Sequence, residues 1–235
     1  MIFVGLDDTD IAGSRGTNQL ARALVTQVAD QFRCLRIVRH QLLDDPRVRY
    51  TSRNGSESIL FEPVSGGTPD QLAARLRDGI ADDFIPGSDP GLCVVTDVPG
   101  SVIEFGSRCK TELITQVEAR SVAAEHEILL EGLGGTEDGV IGALAAVGLA
   151  ATGNDGRIIQ RGPEQDELSG AQPVELLNSL GVEVQQLGTG TPIEWGTIDI
   201  GKKLRPNLRS FEPVLFAQEP AGPSPPTHWQ AVKLP

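Results

Sequence analysis

Apolar positions fall into short continuous runs and helical stripes. Met1–Leu6 is an almost unbroken apolar run, the pattern of a short buried strand. Leu20, Leu24, Val28 and Phe32 recur at near-helical spacing and predict a helix over about 18–33. LRIVRH (35–40) and SILFEP (58–63) read as strands on either side of a polar loop at 44–57. A helix is expected over about 69–84, with Pro69 suited to its first turn. LCVVTD (92–97) closes this series as another strand. The order is β-α-β-β-α-β, the split pattern of a ferredoxin-like unit. A second series follows: helix 110–124, strand 126–131, the glycine segment 132–139 and the apolar helix VIGALAAVGLAA. It continues as strand 157–161, helix 173–180 and strands 182–188 and 194–200. The expected fold class is α+β, a ferredoxin-like unit plus a second α/β unit, either separate or interlocked. The expected bounds are 1–100, 101–210 and a proline-rich extended tail over 211–235.

The first strand ends abruptly at Asp7, Asp8 and Asp10. Three carboxylates at a strand end repel one another unless a cation sits among them. Mg²⁺, hard and oxygen-seeking, is the usual candidate, and it commonly bridges carboxylates to phosphates. A loop from Gly13 to Gly16 follows, and Thr17 opens a helical run. Strand, acidic cluster, glycine loop and helix start together suit metal and phosphate. The same residues also suit a solvated turn in which Asp10 or Thr17 caps the helix.

Composition narrows the choices. The 235 residues carry 20 basic and 32 acidic side chains, a net charge of −12. That opposes a general nucleic-acid or anionic-membrane surface, and argues against nucleic acid unless a partner subunit supplies the grip. Cys34, Cys93 and Cys109 are dispersed, which opposes a zinc ribbon or disulfide framework and predicts free thiols in a cytoplasmic protein. No stretch reaches transmembrane length.

Two further blocks can carry chemistry. In GLGGTEDG, Gly134 and Gly135 permit a tight turn and close ligand approach, and Thr136 is a plausible helix cap. Glu137 and Asp138 either complement the helix dipole or help hold a metal. In the loop 44–58, Arg47, Arg49 and Arg53 beside Asn54 suit phosphate recognition, or simply balance neighbouring acids. Tyr50, the sole tyrosine, could stack on a base or pack.

GLDDTD, the loop ending in Thr17, RYTSRNGS and GGTEDGVIGALAAVGL together resemble the archaeal isoleucine-tRNA agmatinylcytidine synthetase family, over about the amino-terminal two-thirds of the chain. Members use ATP and Mg²⁺ in a kinase-like domain to activate a cytidine carbonyl, which agmatine displaces; a ferredoxin-like domain accompanies it. The resemblance implies metal and phosphate handling by Asp7, Asp8 and Asp10, and matches Glu137 and Asp138 to the family's acidic pair. Thr17 falls where the family has its functional threonine, but Gly16-Thr17-Asn18 replaces the usual Cys-Thr-Thr. The family's zinc ribbon has no counterpart in the cysteine spacing, so a stand-alone catalytic half is expected.

The expectation is a Mg²⁺- and ATP-dependent phosphotransferase or synthetase acting on a small-molecule or nucleoside-type substrate. Asp8, Thr17 and Arg53 would carry catalysis. Arg47, Arg49, Asn54, Gly134, Gly135 and Thr136 would bind nucleotide, and Asp7, Asp8, Asp10, Glu137 and Asp138 metal. The other readings are a non-catalytic nucleotide-binding module and a tRNA-modification component working with a partner.

Overall fold

The computed structural model describes residues 1–48, 53–161, 168–221 and 227–234. Chain contacts divide it into Met1–Thr152 and Gly153–Pro235. The boundary thus falls well past residue 100.

The first unit runs β1 (Ile2–Asp7), α1 (Thr17–Gln27), β2 (Phe32–Gln41), β3 (Gly55–Pro63), α2 (Pro69–Asp82), β4 (Gly91–Val95), α3 (Gly100–Arg108), α4 (Gln116–Glu125), β5 (Leu129–Gly132) and α5 (Gly139–Thr152). The expected β-α-β-β-α-β order occupies β1 to β4. Its sheet is ordered β5-β4-β1-β3-β2, with every neighbouring pair antiparallel. The second series completes this sheet: β5 pairs with β4, and α5 packs on β1 and β4. That is why the boundary moves to Thr152.

Alternation along β1 assigns the two faces. Ile2, Val4 and Leu6 are buried on one face, towards α1 and α2. Phe3, Gly5 and Asp7 lie on the other, under α5. This helix is buried almost all round, so it is apolar on every side rather than amphipathic. A Cβ at Gly5 would lie 1.9 Å from the Ala143 carbonyl oxygen, and one at Gly148 2.1 Å from that of Val102. Glycine therefore sets how closely α5 approaches both the sheet and α3.

Three local expectations change. The helix expected to residue 33 ends at Gln27, because Gln31 and Phe32 both donate to the Val28 carbonyl and turn the chain. Phe32 instead opens β2, its ring edge-on to Phe61 at 6.4 Å. Helix 110–124 is replaced by α3 and α4. Part of the expected polar loop is strand, since Gly55 pairs with Gln41.

The second unit contains β6 (Arg157–Gln160), β7 (Ala171–Pro173), α6 (Val174–Ser179), β8 (Glu183–Gln186), β9 (Thr197–Asp199), β10 (Asn207–Arg209), β11 (Glu212–Gln218) and β12 (His228–Ala231). Its strands run β6-β10-β11-β12-β9-β7, and β8 pairs with β11 in parallel. The expected tail over 211–235 is corrected here. Val214, Leu215 and Ala217 of β11 are buried, and β11 hydrogen-bonds to β8, β10 and β12. Its single proline, Pro213, sits near the strand start, where a missing donor is tolerated. Among the described residues no helix is long and apolar enough to cross a membrane.

Candidate functional site

The site grows from the end of β1. Asp7 lies beneath the first turns of α5, and a Cβ at Gly142 would sit 1.8 Å from its Oδ2. Burial raises the Asp7 pKa well above the ordinary carboxylate range, and the charges of Asp8, Glu57 and Asp10 raise it further. Asp8 adopts the left-handed conformation, φ 49°, which aspartate tolerates better than most residues. Thr9 is buried, and its hydroxyl donates to Thr17 Oγ1 at 3.1 Å. Arg15 braces the loop, donating to the Thr9 carbonyl at 3.0 Å and pairing with Asp83 beyond α2. Thr17 is the first helical residue; the cap is Gly16, which makes no side-chain bond. The capping alternative for Thr17 is thereby removed.

Asp89, which the sequence reading missed, joins this loop to the glycine segment. Its amide donates to the Asp8 carbonyl at 3.0 Å, and its own carbonyl accepts from Gly139 N–H at 3.0 Å. Its carboxylate accepts from the Thr136 amide. Gly135, at φ 61°, is needed there: a Cβ would lie 1.7 Å from Asp89 Oδ1. Gly134 makes room for the Phe84 ring. Glu137 pairs with Arg120.

A cavity of about 580 Å³ opens at this end of the sheet. Asp7, Asp8, Asp10, Thr17, Arg47, Arg53, Asn54 and Asp138 all line it, as does Asp89. Gly134, Gly135, Thr136 and Glu137 do not; they shape the turn behind it. Arg49 and Tyr50 lie outside the described residues. Arg47 is held by Asp45, with both guanidinium bonds at 2.8 Å, and Asn54 donates to the Leu43 carbonyl at 2.8 Å.

Three helices begin at this cavity: α1 at Thr17, α4 at Gln116 and α5 at Gly139. Their positive dipole ends favour an anion despite the surrounding carboxylates, although the Gly139, Val140 and Ile141 amides of α5 are already bonded to the carbonyls of Asp89, Glu137 and Asp138. The α4 start carries a capping box that the expected helix over 110–124 overran: Thr115 accepts from the Glu118 amide, and the Glu118 carboxylate accepts from Thr115 N–H. Gln116 then donates to Asp138 and to the Thr136 carbonyl. Leu42, Leu43, Val117 and Ile141 give the cavity an apolar side. Cys109 also lines it, but burial pushes its thiol up to about 12, which rules out thiolate chemistry near neutral pH. All three cysteines are free.

Behind the loop, Glu57 on β3 is 2% exposed. Its Oε2 has no hydrogen-bond partner among the described residues, and Arg39 Nε stands 3.9 Å from Oε1. Burial raises its pKa to about 8, with Arg39 opposing and Asp10 adding to the rise.

Among the described residues, no group of three or more His, Cys, Asp or Glu is arranged to hold a metal ion by itself. Mg²⁺ seldom needs such a cage; it takes one or two carboxylates and fills its shell with phosphate oxygens and water. The half-buried carboxylates of Asp8 and Asp10, both on the cavity, fit that mode.

No protein-family model matches the sequence, and no curated protein matches it. Solved structures do. TiaS in complex with tRNA(Ile2) and ATP matches with a TM-score of 0.54 and 23% identity, over 63% of this chain and 36% of that one. Apo TiaS, a tRNAIle2 agmatidine synthetase, matches with 0.53 and 24%, over 63% and 35%. A tRNA fluorescent labeling enzyme matches with 0.55 and 22%, over 76% and 43%. Over 63% of its length this chain shares the fold of part of TiaS.

It spans about a third of the length of the TiaS chains just compared, 36% and 35%. The likeness to TiaS agrees with the resemblance read from GLDDTD and GGTEDG, and with the α+β class. Those two motifs meet through Asp89.

Proposed function

We propose that the Met1–Thr152 unit binds ATP together with Mg²⁺ and uses it to activate or phosphorylate an acceptor of nucleoside type. The observation that carries this reading is the convergence of the Asp7–Asp10 loop, Thr17, Arg53 and three helix starts on one cavity. Mg²⁺, when bound, would neutralise phosphate charge and polarise the transferred group. Asp8 and Asp10 are the residues to hold it. The amides of the first turn of α1 orient phosphate oxygens, and the Thr17 hydroxyl, which accepts from Thr9, keeps its own proton to donate to them. Arg53 offsets negative charge on the transferred group. The apolar side at Leu42, Val117 and Ile141 offers a wall that suits a base ring.

A calorimetric titration with a non-hydrolysable ATP analogue tests this. Binding should require Mg²⁺ and should weaken by tenfold or more in Asp8→Asn, roughly the loss of one charged contact. Absence of binding by the wild type with Mg²⁺ present would overturn the reading.

A second reading takes RNA as the acceptor. TiaS has been solved with tRNA(Ile2) and ATP, and with tRNA(Ile2), AMPCPP and agmatine. Net charge alone is therefore no ground for excluding nucleic acid. Binding of tRNA that weakens steeply with added salt would favour it.

A further inference from the structure

The second unit has a smaller cavity of about 290 Å³, lined by Trp195, Trp229, Glu194, Gln186, Thr191 and Thr227 among others. Trp195 and Trp229 are the only tryptophans in a chain with 4% aromatic residues. The backbone brings them together deliberately. β12 runs parallel to β9, with His228 opposite Thr197 and Trp229 opposite Ile198. Gly196, at φ 117°, lets the preceding turn close against this pair: Thr197 N–H donates to the Thr227 carbonyl at 2.9 Å, and a Cβ at Gly196 would lie 2.5 Å from that oxygen. Trp229 is anchored against the unit's core, whereas Trp195 is 64% exposed. Most of the Trp195 indole is thus left to solvent.

The two indoles do not stack on each other, since Phe32 and Phe61 form the one ring pair among the described residues. Among the described residues no cation covers either ring; the one such contact is Arg209 over Phe216. No lysine or arginine lines the cavity, and Glu194 forms no ion pair among the described residues. One exposed indole and one half-buried indole, beside a carboxylate that has no ion pair among the described residues, repel anions and attract a cation with an apolar surface. Indole faces supply the quadrupole and the carboxylate supplies the opposite charge.

We infer that this cavity binds a small organic cation of the alkylated-ammonium class. The inference does not rest on ATP binding and is read by a different assay. Because both tryptophans line the cavity, intrinsic fluorescence reports on it alone. Choline chloride should change the emission with a saturable dependence in roughly the millimolar range, and 3,3-dimethylbutanol, its neutral isostere, should bind at least about fivefold more weakly. Trp195→Ala should abolish the response with the far-ultraviolet circular dichroism unchanged, since this side chain is exposed. Glu194→Gln should weaken choline several-fold and leave the neutral isostere unaffected. Equal responses to choline and its isostere would overturn the inference in favour of an unspecific apolar groove. A saturable response to adenine without one to choline would overturn it in favour of base stacking. No saturable response to any of the three would overturn it outright.

Discussion

Replacing Glu57 with glutamine should abolish most of the loss of stability that the protein suffers as pH rises from 4.5 to about 8. The carboxyl titrates near 4.5 when exposed and near 8 in the fold, because burial disfavours its charged form and Arg39 stands too far away, at 3.9 Å, to compensate. Below the unfolded value both states carry the proton, and nothing is lost. Between the two values the folded state holds a proton that the unfolded state releases, so stability falls as pH rises; above about 8 it levels off. Each pH unit across that window costs at most about 1.4 kcal/mol, so the total is about 3–5 kcal/mol. Glutamine has the same shape and no proton to lose. Glu57→Gln should thus match the wild type near pH 4.5 and exceed it by several kcal/mol at pH 9. Asp7, raised in the same direction, will leave a residual slope. Urea unfolding at a series of pH values reads this directly from the midpoint, provided the slope m is unchanged. Parallel curves for the two proteins would show that Glu57 is ionised in the fold, and the argument from its burial would fail.

Gly142→Ala should lower the melting temperature: the overlap with the Asp7 carboxylate costs about 1–3 kcal/mol, against about 1 kcal/mol gained in helix propensity. Gly100→Ala, where a Cβ meets open space, should not lower it, and scanning calorimetry compares the two. Asp8→Asn keeps a residue that accepts the left-handed backbone and removes the charge, so it should melt like the wild type alone but lose the upward shift with Mg²⁺ and ATP. Thr17→Ala forfeits the bond from Thr9, about 1 kcal/mol, whereas Thr17→Ser keeps it. ATP turnover should vanish in the alanine variant and persist in the serine one, and full turnover in Thr17→Ala would confine the residue to a structural role.

Much of the first unit was legible because local signals and packing agree there. β1 announces itself as an apolar run cut off by carboxylates, and α2 carries both Pro69 and a Thr68–Gln71 capping box. Failures came where tertiary contacts overrode local pattern. Val28 and Phe32 continue the helical spacing of Leu20 and Leu24, yet Phe32 is claimed by the sheet against Phe61. Helix α3 had a usable stripe in Val102, Phe105 and Cys109 after Pro99, but Gly100 and Gly106 mask the pattern, and only the fold shows that Gly106 makes room for α5 at Ala145 and Leu149. In the site, chemistry-bearing types at element ends were legible: the aspartates, Thr17 and Arg53. Asp89 was not, because an aspartate in a turn has many uses and only the fold reveals its three partners. The glycines of GLGGTEDG were read as ligand-facing, whereas their missing side chains accommodate Phe84 and Asp89.

The bonds of Asp89 have a consequence for motion. Its amide holds the acidic loop at Asp8, while its carbonyl and carboxylate both hold the glycine segment, at Gly139 and Thr136. None of those contacts can open without disturbing the others, so the acidic loop and the start of α5 share one local unfolding event. The amides of Asp89, Thr136 and Gly139 should therefore exchange with solvent deuterium at a common opening free energy, although 47 residues separate the first two in sequence. A ligand that closes on either segment slows exchange in both.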